Sequence, residues 1–355
     1  MSDRILTLFS SDTTLQYVKD IFSVLSLPRN CILQFRYQAQ YIENDVKAIL
    51  GNVDSCIGTR VLIAFRNSSK SDDENKFIVP IRWAKIVAVK HFSDVYNISL
   101  EIFGYPSFTN AFRSKSIDYQ QLNQYAKSFL VEDKKDIAVL SSCLDIVDIE
   151  DHLDRDIENW RIIVEYLTKI PKYSKFYFLK CSSLYSDKMK SGGCKRKECK
   201  IVNGRFCLTE GQLINVDLEF YCSQYNSSEK QMIEVFSDGT SIKQVKGLQP
   251  VLQSRYGLVS LGFQTLQVSV STLSEIIICT SSQPEEDIQT NLVLPVIIKP
   301  NKKHRLRHAL ITSIGAALVA LPGILSNNVD FAWNIASGVL GALILGINYF
   351  LDLKE

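Results

Sequence analysis

The sequence predicts an α+β N-terminal domain with a small antiparallel sheet or barrel, then an all-β sandwich-like domain and a C-terminal two-helix transmembrane hairpin. Three observations carry this prediction. Helix and strand patterns alternate in the first half, short strand patterns separated by turn residues fill the second, and the C-terminal end is almost free of charge. We place the domains at residues 1–173 and 174–300, a basic juxtamembrane flank at 301–308, and the hairpin at 309–351.

The first domain begins with a strand pattern at Arg4–Phe9 and a helix pattern at Thr14–Leu25, whose apolar residues share one face. Cys31–Tyr37 then alternates like a strand. Three further segments are rich in β-branched and aromatic residues, which favour strands. They are Arg60–Phe65, Phe77–Val89 and Tyr96–Phe103. Short strands in succession predict a small curled sheet or barrel.

The domain ends with an amphipathic helix at about Asp156–Lys169. Its apolar stripe consists of Ile157, Trp160, Ile163, Val164 and Leu167. The acidic run before it, Asp145–Asp156, is typical of a solvated face.

The region from about Ser174 to Pro300 reads as nearly all β. The predicted strands are Phe176–Lys180, Lys200–Leu208, Leu213–Tyr221, Met232–Phe236, Gly257–Leu261, Leu266–Val270, Ile276–Cys279 and Leu292–Ile298. The turn signals Asn203-Gly204, Glu210-Gly211 and Asp238-Gly239 separate several of them. Short strands at this spacing predict a β-sandwich.

The hairpin is predicted from two apolar segments, Ala309–Leu325 and Phe331–Leu351, with Asp330 as the only formal charge between Ala309 and Leu351. At about 1.5 Å per residue they reach about 26 and about 31 Å, against a hydrocarbon core of about 30 Å. A soluble hairpin would carry a polar stripe on each helix, and neither segment has one. The sequence therefore favours insertion into a lipid bilayer.

Basic residues before the hairpin predict its orientation, because lysine and arginine beside a span favour the cytoplasmic side. The cluster consists of Lys299, Lys302, Lys303, Arg305 and Arg307. We expect a two-pass membrane protein with both termini in the cytoplasm, at the inner membrane if the source is bacterial. No signal-peptide pattern follows Met1, so we expect the nine cysteines to be reduced thiols.

Small residues and one amide recur at every fourth position of the second apolar segment. They are Asn334, Gly338, Ala342 and Gly346. Such a stripe lets two helices approach closely. The sequence leaves two interpretations open: closure of the hairpin on itself, or contacts between copies of the protein in a homo-oligomer.

Catalytic and cofactor motifs are missing from the sequence: it has no P-loop, no G-x-S-x-G and no H-E-x-x-H. We therefore predict no catalytic residue, no cofactor and no metal site. An enzyme with an unrecognised site around His91 or the cysteines remains an alternative. Metal binding stays open for one group of cysteines. The group is Cys181, Cys194, Cys199 and Cys207.

The basic segment Lys188–Lys200 reads as a solvated loop, although lysine and arginine could also meet phosphate. No aromatic residue is interleaved in it, so it provides no base-stacking platform. With a net charge of only +2 for the chain, nucleic acid is not the expected partner.

The layout resembles, by architecture alone, bacterial immune effectors that join cytoplasmic sensor domains to a small transmembrane module. The resemblance implies oligomerisation on an activating signal, followed by membrane disruption. We accordingly expect a non-enzymatic membrane protein with the lipid bilayer and a cytoplasmic partner or signal as its ligands. A passive scaffold that tethers a partner to the membrane is the main alternative.

Overall fold

The computed structural model of the protein describes residues 5–11, 15–42, 44–66, 78–106, 156–168, 173–174, 176–190, 193–225, 231–280, 291–301, 310–319 and 339–344. These residues form a five-stranded sheet with helices, two further sheets of five and six strands, and two short helical segments near the C-terminus.

Within its described residues, the N-terminal unit contains five strands, four α-helices and a short 3-10 helix at Ala39–Tyr41. The strands are β1 (Ile5–Ser11), β2 (Ile32–Gln38), β3 (Arg60–Arg66), β4 (Ile78–Phe92) and β5 (Val95–Ile102). The helices are α1 (Leu15–Ser26), α2 (Asn44–Gly51), α3 (Val53–Cys56) and α4 (Asp156–Leu167).

The N-terminal sheet is mixed and open, which corrects the prediction of an antiparallel sheet or barrel. Its order is β1-β3-β4-β5-β2, so β1 and β2 are edge strands, and β1 runs parallel to β3. A parallel pair needs a long crossover, and here α1, β2, α2 and α3 lie between the two strands. The alternation in β1 predicts a strand, but it does not encode the strand's partner.

The C-terminal β region contains eleven strands. They are β6 (Phe178–Lys190), β7 (Gly193–Glu198), β8 (Ile201–Val202), β9 (Arg205–Thr209), β10 (Leu213–Tyr221), β11 (Gln231–Ser237), β12 (Ile242–Lys246), β13 (Val251–Leu252), β14 (Tyr256–Thr265), β15 (Thr272–Thr280) and β16 (Asn291–Lys299). Sheet I has the order β12-β14-β10-β6-β7, and sheet II has the order β13-β11-β15-β16-β9-β8.

The two sheets bury alternate residues in one core, which confirms the predicted sandwich-like fold. On β16, Leu292, Leu294, Val296 and Ile298 have no exposed surface, and they belong to the same buried cluster as the apolar residues of sheet I. An alternation of buried and half-exposed positions is what a strand with one face on a core requires.

Two segments of sheet I differ from the sequence prediction. Lys188–Lys200 is mainly the hairpin of β6 and β7 rather than a loop. Leu266–Val270 lies outside the sheet, because β14 continues through Gly262 to Thr265. Gly262 lies within β14, next to Lys246. An added Cβ at Gly262 would lie 2.7 Å from Lys246 Cβ, so only glycine allows this close approach of the two strands.

Helix α1 and the β8–β9 turn both contribute contacts between the N-terminal unit and the sandwich. Helix α1 packs against both β6 and β16, and Ser26 Oγ donates to Leu179 O at 2.6 Å. The turn between β8 and β9 forms a backbone bridge from Gly204 to Cys31. The φ angles of Asn203 and Gly204 are 51° and 74°, so the predicted Asn-Gly turn is confirmed. The domain boundary at 173/174 stays a prediction.

The described part of the predicted hairpin consists of helical residues 310–319 and 339–344. Within the part of the chain that the structure describes, no helix is both long enough and apolar enough to cross a membrane. The other residues of the predicted segments Ala309–Leu325 and Phe331–Leu351 lie outside the described residues.

Candidate functional site

A cleft of about 420 Å³ lies where the N-terminal unit meets the sandwich. Charged side chains from both parts line it, namely Arg29, Arg82, Asp156, Lys180, Glu198 and Glu219. Apolar residues complete it, namely Leu27, Pro28, Ile157, Leu184, Ile201 and Phe206. Convergent polar groups in a concave, partly apolar setting are typical of a small-molecule site.

Arg82 is the fixed cation of this cleft. It lies on β4 and is 1% exposed, with Nε donating to Phe103 O at 2.6 Å and Nη1 donating to Val24 O at 3.2 Å. Its guanidinium lies 4.0 Å from the centre of the Tyr105 ring. Burial lowers the pKa of Arg82, yet arginine remains charged at neutral pH. No described carboxylate forms an ion pair with it.

The phenol of Tyr105 closes the same corner by donating a hydrogen bond to Leu25 O. Burial raises the pKa of Tyr105 well above its usual range, so the hydroxyl remains a donor. Carbonyl oxygens from α1 thus hold both Arg82 and Tyr105 in place.

An ion pair joins the two parts of the N-terminal unit at the mouth of the cleft. Arg29 Nε lies 2.8 Å from Asp156 Oδ2, and the Tyr105 N–H donates to Asp156 Oδ1 at 3.4 Å. Asp156 opens α4, where the helix dipole favours a negative charge. Gly104 makes room for the pair, because an added Cβ would lie 2.7 Å from Arg29 Nη2. Asp156 is therefore a paired residue of the cleft, and the rest of the predicted acidic face, residues 145–155, lies outside the described residues.

Lys180 and Glu219 are directly opposite each other on β6 and β10. Both are 8% exposed and lie on the face of sheet I that the N-terminal unit covers. Ser182 Oγ donates to Glu219 Oε1 at 2.6 Å, whereas Glu219 Oε2 has no hydrogen-bond partner among the described residues. Within the same residues, Lys180 has no hydrogen bond or ion pair, and its Nζ lies 5.9 Å from the Tyr105 ring. Burial lowers the pKa of Lys180, while the charge of Glu219 acts in the opposite direction.

These two groups give the cleft one buried cation and one buried carboxylate oxygen that have no hydrogen-bond partner among the described residues. A buried polar atom without a partner is costly and rare in folded proteins. The arrangement therefore suits the binding of a molecule that supplies both an acceptor and a donor.

Two of the four cysteines considered for metal binding, Cys181 and Cys199, line the cleft. Cys207 lies on β9, and the Cys194 side chain lies outside the described residues. No group of three or more histidine, cysteine, aspartate or glutamate side chains could hold a metal ion in the described part of the chain. Burial raises the pKa of Cys199 to about 11 and that of Cys181 further, which disfavours the reactive thiolate.

His91, the histidine considered for an enzyme site, lies at the tip of the β4–β5 hairpin. It is exposed and stacks on the Tyr96 ring with centroids 4.1 Å apart. It is not among the residues that line the cleft. Among the described residues, the cleft with converging polar groups therefore lies beside two of the cysteines and not beside His91, and an enzyme site at the cysteines stays a prediction.

The membrane-related residues of the prediction are only partly described. Lys299 is exposed at the end of β16. Ala342 is exposed on the second helical segment. The remaining residues of the basic flank and the stripe lie outside the described residues, namely Lys302, Lys303, Arg305, Arg307, Asn334, Gly338 and Gly346.

The two C-terminal helical segments contact each other through glycine. Gly315 and Gly341 are buried, and an added Cβ at Gly341 would lie 2.7 Å from Gly315 O and 2.8 Å from Val319 N. Several large aliphatic side chains of these segments are about half exposed. They are Leu310 (55%), Ile314 (53%), Val319 (46%), Val339 (54%), Leu340 (53%) and Leu343 (57%). Of these, Val319 also lies at the contact, with Cγ2 2.9 Å from the position of an added Cβ at Gly341.

Comparison with known proteins adds no functional information. No protein-family model matches this chain, and no curated protein matches it. The function is therefore argued from the cleft and the helical segments themselves.

Sequence reasoning missed the cleft residues, although the sequence contains a signal for them. Arg82, Lys180 and Glu219 are charged residues that have apolar residues on both sides in the sequence of their strands: Ile81-Arg82-Trp83, Leu179-Lys180-Cys181 and Leu218-Glu219-Phe220. A charge in a buried strand needs a partner or a function. The strand pattern alone does not indicate that β4, β6 and β10 bring these three together.

Proposed function

We propose that this chain is a membrane-anchored binding protein, whose cleft takes up a signal or ligand and whose C-terminal hairpin inserts into the bilayer. Clustering of the hairpins on activation would then disrupt the membrane. The observation that carries the proposal is the glycine contact between the two C-terminal helical segments, with aliphatic side chains on the outside.

This arrangement is unfavourable in water. A soluble helical pair buries its large aliphatic residues and exposes polar ones. Here the contact is made by Gly315 and Gly341, while residues such as Leu310 and Leu343 are more than half exposed. In lipid, helices pack through small residues and direct their leucines toward acyl chains. The packing therefore supports a membrane environment for the hairpin.

The connection to the sandwich supports the proposed orientation. Strand β16 ends at the exposed Lys299, and the basic flank follows it directly. The sandwich would then lie on the side of the membrane where the basic residues remain. With two passes, both termini would be on the cytoplasmic side.

The glycine contact supports one of the two interpretations of the small-residue stripe at Ala342. Adjacent helical residues differ by about 100° around the axis, so Gly341 and Ala342 face different directions. Gly341 lies in the contact between the two helical segments, whereas Ala342 is exposed. We therefore propose that Ala342 belongs to a contact between copies of the protein.

Liposome flotation tests membrane insertion. The full chain should float with vesicles and resist extraction at high salt, and a chain ending at Asn301 should remain in the dense fraction. Flotation that salt abolishes would indicate binding only through the basic flank. Failure of the full chain to float would refute the proposal.

A pair of matched substitutions tests the role of the stripe. Gly341→Leu should open the hairpin, because its side chain would collide with the Gly315 backbone. Ala342→Leu should keep the hairpin but weaken cross-linking between copies and dye leakage from cells. If Ala342→Leu leaves both readouts at the parental level, the stripe is not an oligomer contact.

A hairpin swap distinguishes an effector from a scaffold. Replacing residues 309–351 with an unrelated two-helix anchor should abolish dye leakage if the hairpin disrupts the membrane. A scaffold would retain its function after the same swap.

A further inference from the structure

We propose that the cleft binds a small amino acid-like zwitterion, whose carboxylate contacts Lys180 and whose ammonium contacts Glu219. The inference deepens the proposed function, because it names the class of ligand for the cleft on which that function rests. Its basis is a pair of buried groups of opposite charge on adjacent strands. Among the described residues, Lys180 has no hydrogen bond or ion pair, and Glu219 Oε2 has no hydrogen-bond donor.

An anion alone fits this cleft poorly. A phosphate or simple carboxylate could approach Lys180, but it would leave Glu219 Oε2 without a donor. A cation alone could approach Glu219, but it would leave the Lys180 ammonium without an acceptor. Only a ligand with both groups satisfies both side chains.

A stacked nucleobase is also a poor match. Two aromatic residues, Tyr105 and Phe206, are among the residues that line the cleft. Arg82 already covers the Tyr105 ring at 4.0 Å, so that face is not open for stacking. Base recognition in single strands and loops generally uses open aromatic faces.

The size and lining of the cleft set the scale of the ligand. A volume of about 420 Å³ is within the range of small-molecule pockets, about 300–1,000 Å³, and holds an amino acid or a dipeptide. Apolar residues such as Leu27, Ile201 and Phe206 can cover the aliphatic part of such a molecule. The polar end and the apolar end of the ligand would thus both be matched.

The balance of charge predicts a preference among amino acids. Arg29 and Asp156 neutralise each other, and Lys180 and Glu219 would each take one group of the zwitterion. Two charges remain, namely Arg82, a buried cation without a described carboxylate partner, and Glu198, which is exposed, so that water and salt screen its charge. A second carboxylate on the ligand would balance Arg82, so acidic amino acids should bind more tightly than neutral ones, and basic ones least.

Calorimetric titration of the full chain in detergent tests the inference with defined probes. L-Glutamate and the dipeptide alanyl-glutamate should give saturable binding, L-glutamine weaker binding, and L-lysine the weakest. N-Acetyl-L-glutamate, which lacks the ammonium, and inorganic phosphate should not bind. No saturable binding by either acidic probe, or equal binding of the acetylated probe, would overturn the inference without relying on any variant.

Matched variants locate the binding. Lys180→Met and Glu219→Gln should each weaken glutamate binding by at least about tenfold, as expected for loss of a buried charge pair. Lys243→Met and Glu275→Gln change exposed residues of β12 and β15 and should bind like the parent. Equal affinities in all four variants would refute the assignment to this cleft. All four variants should float with liposomes. Ligand binding and flotation are separate readouts, so failure of this inference can be distinguished from failure of the membrane proposal.

Discussion

Substitution of Gly204 by alanine tests how the N-terminal unit is fastened to the sandwich. Gly204 has a φ of +74°, where an L-residue costs about 1–2 kcal/mol. The added Cβ would lie 2.6 Å from Ile32 Cβ and 2.7 Å from Ile32 N. Backbone cannot move aside cheaply, and overpacking of this kind costs about 1–3 kcal/mol more. We expect a total loss of about 2–5 kcal/mol in the free energy of unfolding.

Gly211 supplies the matched control. It has a φ of +71° but nothing within 4 Å of an added Cβ, so Gly211→Ala should cost only the conformational part, about 1–2 kcal/mol. Urea unfolding of the full chain in detergent, followed by tryptophan fluorescence, measures both. The difference between the two variants reports the contact between Gly204 and Ile32. If Gly204→Ala is no more destabilising than Gly211→Ala, the two parts are not held together at this turn.

Three other predictions concern buried and titrating groups. Arg82→Met should lower the free energy of unfolding by about 2–4 kcal/mol in the same urea assay, because the carbonyls of Phe103 and Val24 lose their donor. The control Lys85→Met breaks a partly exposed ion pair with Glu101 and should cost under about 1 kcal/mol. Similar losses in the two variants would contradict this prediction. Burial alone would raise the pKa of Asp238, but hydrogen bonds from side-chain and backbone donors hold it at about 2. Since this is below the unfolded value of about 3.9, its stabilisation is present above about pH 4 and disappears as the pH falls toward about 2. Asp238→Asn should therefore flatten the fall of Tm between pH 4 and pH 2, and an unchanged slope would count against the hydrogen-bond account. Burial raises the pKa of Cys31 to about 12 and that of Cys199 to about 11. Alkylation of these thiols at pH 8 should therefore be much slower in the native than in the urea-unfolded protein, as measured by mass spectrometry. Rapid labelling of Cys31 in the native protein would contradict this prediction.

Periodicity in the sequence correctly predicted the positions of most strands and of helices α1 and α4. The apolar positions of β16 recur at every second residue, and Trp160, Ile163, Val164 and Leu167 of α4 are buried as their helical spacing predicts. Ile157 belongs to the same stripe but is 41% exposed, because it lies at the mouth of the cleft. Local spacing therefore identified elements more reliably than it identified what each face contacts.

Periodicity did not predict which strands pair with each other. The parallel pairing of β1 with β3 and of β9 with β16 joins segments far apart in the chain. A strand pattern carries no information about which edge it will join, since every extended segment offers the same backbone donors and acceptors. The mixed N-terminal sheet was missed for this reason.

The cleft was missed because its chemistry arises from packing. Lys180 and Glu219 meet through the pairing of β6 with β10, and Arg82 joins them only where the N-terminal unit packs against the sandwich. The sequence shows these three charges far apart, among other charged residues of their strands. In the structure they line one cleft, in which Lys180 and Glu219 Oε2 have no hydrogen-bond partner among the described residues.

The sequence by itself determined the β-rich character, several turns and the uncharged C-terminal end, because these depend on residue type and spacing along the chain. Tertiary structure alone decided the open mixed sheet, the cleft and the use of Gly341 rather than Ala342 for the helical contact. Each of these depends on which surfaces meet, and burial acts between residues that are distant in sequence. A lone charge in a strand or a glycine in a helix acquires its role only when another element packs against it.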